Sequence, residues 1–248
     1  MWSAVKRRII LPTVFVVLSC LGFATAASAT PLPTTISSNL VLTSAESPYT
    51  GTSVTIEPGA TVEAQHGVVF KLTGALNVNG TLRALGSSEA PVLFTSSLDT
   101  APGQWSGIKL NAGAGASEIR NAEVRYSTTA ITVSGGSSPT IDATAIVKNS
   151  SGGMTVSASS PTLSASTFHA RGIEVSGASS PDIGGNVFQD CEGRAAITLA
   201  ASEAKATVRI HDNLVERCGG TSKAAIGVSG SALTGVSLGG NTVRESPG

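Results

Sequence analysis

The sequence predicts an all-β chain wound as a solenoid, with three short strands to a coil and about nine coils of 20–28 residues. Three observations carry this expectation. Apolar pairs five residues apart recur: Ile119 and Val124, Ile141 and Ile146, Leu163 and Phe168. Each pair is followed by an apolar–x–apolar triplet: Ile131-Thr132-Val133, Met154-Thr155-Val156 and Ile173-Glu174-Val175. The whole unit returns every 20 to 22 residues, and a fixed period of that size marks a repeat architecture.

The chain opens with a different element. Lys6, Arg7 and Arg8 precede an apolar run from Ile9 to about Phe23, which ends in Ala27-Ser28-Ala29. Basic segment, apolar segment and small-residue site together read as a secretory signal peptide cut after Ala29. The competing readings are an uncleaved anchor and a lipidated Cys20. No later apolar run reaches the roughly 20 residues that a bilayer span needs. Removing residues 1–29 leaves 13 basic residues against 16 acidic ones, a net charge of −3. That balance argues against electrostatic nucleic-acid binding and against a polybasic membrane patch. Export implies an oxidising compartment, and two cysteines remain, Cys191 and Cys218.

Residues 30–39 are rich in Thr, Pro and Ser and read as a linker or irregular lead-in to a domain over 40–248. From Leu40 the pattern is β: Leu40–Leu42, Val54–Ile56, Val68–Phe70, Leu76–Val78 and Val92–Phe94, with Pro58-Gly59, Asn79-Gly80 and Gly86-Ser87 as turns. A polar loop over 95–104 is closed by Trp105, expected to pack where the chain re-enters a strand. After Val175 the pairs continue as Ile183/Phe188, Ile210/Val215 and Leu238/Val243. Successive first members, from 119 to 238, are 22, 22, 20, 27 and 28 residues apart. The extra length falls at 194–207 and 219–234, so the insertions sit in turns. Ser138-Pro139, Ser160-Pro161 and Ser180-Pro181 mark one recurring turn, where proline presets φ and needs no ladder donor. Strands this short suit a single-stranded, right-handed parallel β-helix, in which each strand pairs with its copy one coil away. Nine coils at ~4.8 Å each would make a rod of roughly 40 Å.

The runs Val54-Thr-Ile-Glu-Pro-Gly-Ala-Thr-Val62, Leu76-Asn-Val-Asn-Gly-Thr-Leu82, Ala90-Pro-Val-Leu-Phe-Thr-Ser96 and Trp105-Ser-Gly-Ile108 resemble secreted bacterial β-helix repeat proteins of the pectin-lyase-like fold. The Ser-Pro-Thr-Ile and Gly-Ile-x-Val elements resemble the same group. The resemblance covers almost all of residues 40–246 and implies the fold. That fold hosts polysaccharide lyases, glycoside hydrolases, adhesins and proteins without known activity, so function must be argued from the site.

Catalysis on a β-helix needs polar residues stacked on one outer face. Counting one, two and three positions beyond the second member of each pair reaches His169, Arg171, Asp190, Glu216 and Arg217, which with the adjoining Glu192 and Arg194 form the densest polar cluster. One reading is a carbohydrate site: paired carboxylates for acid–base hydrolysis, or a carboxylate cluster with an arginine base for a calcium-dependent lyase. The plainer reading is a solvated turn face of weak surface ion pairs. No adjacent Asp-Asp, Gly-His-Gly or row of three acids supports the first. His66, His169 and His211 fall in different coils, so no metal or other cofactor is expected. Outward threonines at 132, 155 and 198 are interrupted by Glu174 and Gly227, which argues against an ice-binding plane.

Cys191 and Cys218 occupy the same register on adjacent coils. Stacking would bring their Cα atoms to ~4.8 Å, within disulfide range, and two unbonded thiols fit the same spacing. The expected role is a structural, adhesive or polysaccharide-contacting protein, secreted or at the cell surface, that meets an extracellular polysaccharide or a surface component. A polysaccharide lyase or glycoside hydrolase is the alternative. The chain stops before the triplet that would complete its last coil, which leaves a fragment or end-to-end self-association as further expectations.

Overall fold

The computed structural model describes residues 28–200, 207–221, 223–229 and 235–246. The expected signal peptide lies almost wholly outside them. Three parallel sheets run the length of the molecule. Sheet 1 has ten strands, from Thr30–Pro31 to Thr242–Arg244. Sheet 2 has nine, from Thr35–Ile36 to Ile226–Ser229, and sheet 3 has nine, from Leu40–Leu42 to Val236–Gly239. The chain visits the sheets in strict rotation, so every third strand pairs with its copy one coil on.

The apolar frame of the sequence is the register of these sheets. Val124, Ile146, Phe168, Phe188, Val215 and Val243 are successive partners in sheet 1. Ile119, Ile141, Leu163, Ile183, Ile210 and Leu238 are the corresponding rank in sheet 3. The triplets supply sheet 2, with Ile131, Met154, Ile173, Ile197 and Ile226 in line. Most of these point inward and are buried, each fully buried side chain contributing about 1.5–3 kcal/mol. Aromatic rings stack along the axis, Phe70 on Phe94 at 4.7 Å and Phe168 on Phe188 at 4.8 Å. In the last described coil Val228, Leu238 and Val243 are exposed, since no described coil covers them.

One expectation is corrected. Residues 30–39 are not a linker: Thr30–Pro31 pairs with Tyr49–Thr50, and Thr35–Ile36 pairs with Thr55–Ile56. Their Thr-Pro composition hid two edge strands, a position that tolerates proline because the end of a sheet needs no donor there.

The five-residue spacing has a backbone cause. A strand of sheet 3 and the next strand of sheet 1 are joined by a tight corner. Its hinge, two residues past the first apolar member, is left-handed in the six coils from Ile119 onward: Asn121, Ala143, Ala165, Gly185, Asp212 and Gly240. A second left-handed rank follows sheet 1, at Tyr126, Lys148, Ala170, Asp190, Arg217 and Glu245. The corner between sheets 2 and 3 carries the recurring prolines, whose carbonyls accept from the next coil, as in Thr162 N–H to Pro139 O at 3.0 Å and Asp182 N–H to Pro161 O at 3.0 Å.

Candidate functional site

The corner between sheets 1 and 2 collects the sequence-predicted residues. Its backbone geometry sorts their side chains. Positions one beyond the apolar member, such as His169 and Glu216, lie on the outer surface of sheet 1, and those two beyond, such as Asp190 and Arg217, sit on the left-handed hinge. Three beyond, the side chain turns inward. Ser127, Asn149, Cys191 and Cys218 are buried there, so of this rank only Arg171 reaches the outer face on which the polar cluster was expected.

Where the inward residue is small and polar, it ties coil to coil. Asn149 Oδ1 accepts from the Ser127 N–H at 2.9 Å and from its hydroxyl at 2.7 Å, and Ser246 Oγ accepts from Cys218 N–H at 3.1 Å. Between these points the ladder is replaced. Cys191 and Cys218 are joined across a Cα separation of 4.6 Å. Arg171 has no acceptor to offer. Its side chain is 14% exposed and donates from Nε to Ser150 O and from Nη1 to Ala170 O, both at 2.9 Å.

The outer groups form two linked ion-pair systems. Arg217 grips Asp190 through two bonds, 2.5 and 3.1 Å, and reaches Glu245 at 3.5 Å and Glu216 at 4.0 Å. His169 Nε2 lies 3.4 Å from Asp190. Arg171 pairs with Glu192. Arg194 is exposed, and no carboxylate pairs with it among the described residues. The hydrogen bonds from Arg217 hold the Asp190 carboxyl below its ordinary pKa, and those from Arg171 do the same for Glu192. In turn Asp190 pushes the Arg217 guanidinium further up.

Sequence reasoning missed the wall of this site. The 95–104 loop folds back over the corner, held by Arg125, which donates to Asp99 at 2.8 and 2.6 Å, and by Ser96 Oγ donating to Gln104 at 2.7 Å. Burial raises the Asp99 pKa, but hydrogen bonds from Arg125 and Thr95 outweigh it, and the net shift is downward. Trp105 is buried behind the loop, its indole N–H donating to Arg125 O at 2.7 Å. Thr100 and Pro102 then face Tyr126, Lys148, His169 and Arg171 across an open groove of about 570 Å³. Tyr126 has the Arg125 guanidinium 5.5 Å and the Lys148 ammonium 5.7 Å from its ring. The signal for Tyr126 and Lys148 was in the sequence, since both occupy the rank that also holds Asp190 and Arg217.

A glycoside hydrolase needs one carboxyl kept protonated by a raised pKa, whereas Asp190 and Glu192 are both shifted down. A lyase base needs a guanidinium that can lose a proton, and Arg217 is shifted the other way. Among the described residues no three His, Cys, Asp or Glu side chains converge as a metal site. No helix among them is long and apolar enough to cross a membrane.

His211 bridges coils. Its Nε2 lies 2.8 Å from Asp182 and its Nδ1 lies 2.9 Å from Asp212, and Arg209 donates to Asp182 at 2.9 Å. Gly184, its partner in register, makes room for the ring: a Cβ there would fall 2.3 Å from His211 Cε1.

Comparison with known proteins gives one match. The family described as "right handed beta helix region" covers residues 100–248. Neither the curated proteins nor the solved structures include a match. The match spans more than half of the sequence and the strands wind as that family requires, so the chain belongs to the right-handed β-helix family.

Proposed function

We propose that this chain is a secreted or cell-surface β-helix that contacts extracellular polysaccharide at the corner between sheets 1 and 2, and that it binds without cleaving. The observation that carries the reading is the pairing of the acids at that corner. Glu192, gripped by Arg171, lines the groove walled by the 95–104 loop, and Asp190, gripped by Arg217, lines an adjoining depression of about 690 Å³ that also reaches Glu192. Fixed charges and a tyrosine edge can orient a sugar chain. Acids locked in ion pairs are poorly placed to trade protons with one.

Affinity electrophoresis and calorimetry against a panel of neutral and acidic polysaccharides test binding, and reducing-sugar and unsaturated-product assays on the same panel test cleavage. The expected result is retention by at least one polysaccharide, reduced about threefold or more by Lys148→Ala, with no product formed. Turnover that disappears in Asp190→Ala would establish the lyase or hydrolase alternative instead. Export is checked by N-terminal mass spectrometry of protein recovered outside the cell; a chain retained inside with residues 1–29 intact would sink that part of the proposal.

A further inference from the structure

Arg171 stands where its neighbours in the same rank carry a ladder residue or a cysteine. Two backbone carbonyls fix its guanidinium, so it is a positioned cation rather than a mobile one. It borders two depressions at once: the groove under the 95–104 loop, with Lys148, and a smaller cleft of about 180 Å³ on the face of sheet 2, with Arg194 and Lys223. The carboxylate paired with it belongs to Glu192, whose side chain is 60% exposed on a left-handed turn. Glu192 is also drawn electrostatically by Arg194 and His169. Three cationic or cationisable groups therefore surround one carboxylate that a single exposed ion pair holds at the end of its own flexible stem. The cations of the two depressions, Lys148, Arg171, Arg194 and Lys223, outnumber the acids there, Glu174 and Glu192.

We propose that Arg171 anchors an oxyanion site, that the Glu192 carboxylate is its built-in occupant, and that a carboxylate, sulfate half-ester or phosphate monoester on a ligand displaces Glu192 and binds in its place. This rests on the binding reading above and adds the ligand class: a glycan carrying an oxyanion. An arginine held by carbonyls keeps its remaining N–H groups in fixed directions, which suits the fork geometry of such anions. Glu192 acts as a competitor, so anions without the right geometry do not displace it.

The test titrates the full chain, at constant ionic strength, with methyl glucuronide, glucose 6-sulfate, glucose 6-phosphate and uncharged methyl glucoside, read by calorimetry and by chemical-shift changes. At least one of the three anionic probes is expected to bind, its identity naming the oxyanion, while methyl glucoside does not compete. Glu192→Gln removes the competitor and should tighten binding about two- to fivefold, the range that an exposed ion pair's worth converts to. Arg171→Gln should weaken it more than about tenfold. Because Arg171 also holds two carbonyls, Arg194→Gln serves as the variant that leaves those bonds intact, and it should weaken binding about two- to fivefold. Lys109→Gln, remote on sheet 2, should leave affinity unchanged. Weaker or unchanged binding in Glu192→Gln, equal losses in Lys109→Gln and Arg194→Gln, or no anion binding in any form would each overturn the proposal. Binding of neutral polysaccharide with no preference for oxyanions would overturn it while leaving the proposed function standing. Small-anion binding without any polysaccharide binding would do the reverse.

Discussion

Two corners of the coil share one backbone and use it differently. Both place a left-handed residue two positions past an apolar one and an inward residue at the third. At the corner between sheets 3 and 1 the inward rank is Thr144, Ser166, Asn186, Asn213 and Asn241, linked coil to coil: Thr144 N–H to Ser166 Oγ at 3.1 Å, Ser166 N–H to Asn186 Oδ1 at 2.9 Å, Asn186 N–H to Asn213 Oδ1 at 3.0 Å and Asn213 N–H to Asn241 Oδ1 at 3.1 Å. Its left-handed rank is Asn, Ala, Gly and Asp, mostly residues that are small or tolerant of positive φ. At the corner between sheets 1 and 2 the inward rank is broken by Arg171 and the cysteine pair, and the left-handed rank carries Tyr126, Lys148, Asp190, Arg217 and Glu245. Large or charged side chains in a conformation that costs a non-glycine residue about 1–2 kcal/mol are not explained by scaffold needs. The first corner ties coil to coil, and the second leaves large and charged side chains on the surface.

Substitutions can break this contrast. The largest effect is expected at Asn186→Ala, which removes an acceptor from Ser166 and a donor to Leu163 O and Gly184 O, all buried. A loss of about 3 kcal/mol should appear as a lower urea midpoint. Lys148→Ala at the other corner should shift stability by less than about 0.5 kcal/mol while reducing ligand binding. If the two substitutions cost the same stability, the division of labour is wrong. Close in size to the first is the cysteine pair. Replacing both with serine should cost about 3 kcal/mol for a loop of this length, and the intact chain should lose two mass units when compared with its reduced form. Two thiols that alkylate without a reduction step would remove the disulfide from the account.

The smallest expected effect is a pH dependence at His211. Asp212 and Asp182 raise its pKa above the ordinary histidine value. A group whose pKa rises on folding adds stability below its unfolded pKa of about 6.5 and loses it as pH climbs through the higher folded value. Stability should therefore fall slightly between pH 6 and the upper end of that titration, and His211→Gln should flatten the slope. Gly184→Ala, which evicts the ring, should flatten it too. On the acid side, the Asp190–Arg217 pair behaves oppositely: its contribution is present above the ordinary aspartate pKa and is lost as pH falls through the depressed one. An Asp190→Asn variant as stable as the parent above pH 4, with the same acid-side slope, would show that this pair adds nothing.

The fold was legible because it is written in periods. Ile119 and Val124 announce two strands and the corner between them, and their copies fix the register of sheets 3 and 1. The direction of the third position was not legible. Nothing in the string Gln189-Asp190-Cys191-Glu192 says that Cys191 turns inward while Asp190 does not; the left-handed hinge decides it, and Asp is only one of several residues that accept that hinge. The loop wall was hidden for a different reason. Asp99 and Arg125 are separated by 26 residues and meet only because coils stack. The strands within residues 30–39 are hidden in the sequence because edge strands tolerate the same prolines that linkers favour. The partners of Arg171 were likewise invisible, since two of the three are carbonyls, which every residue has.

The asparagine rank carries one more implication, for order in time. In each of its links the amide of the earlier coil is satisfied by a side chain from the later one. An advancing coil is therefore left with an open donor until its successor arrives, and the successor that fits is one bearing Ser or Asn at that place.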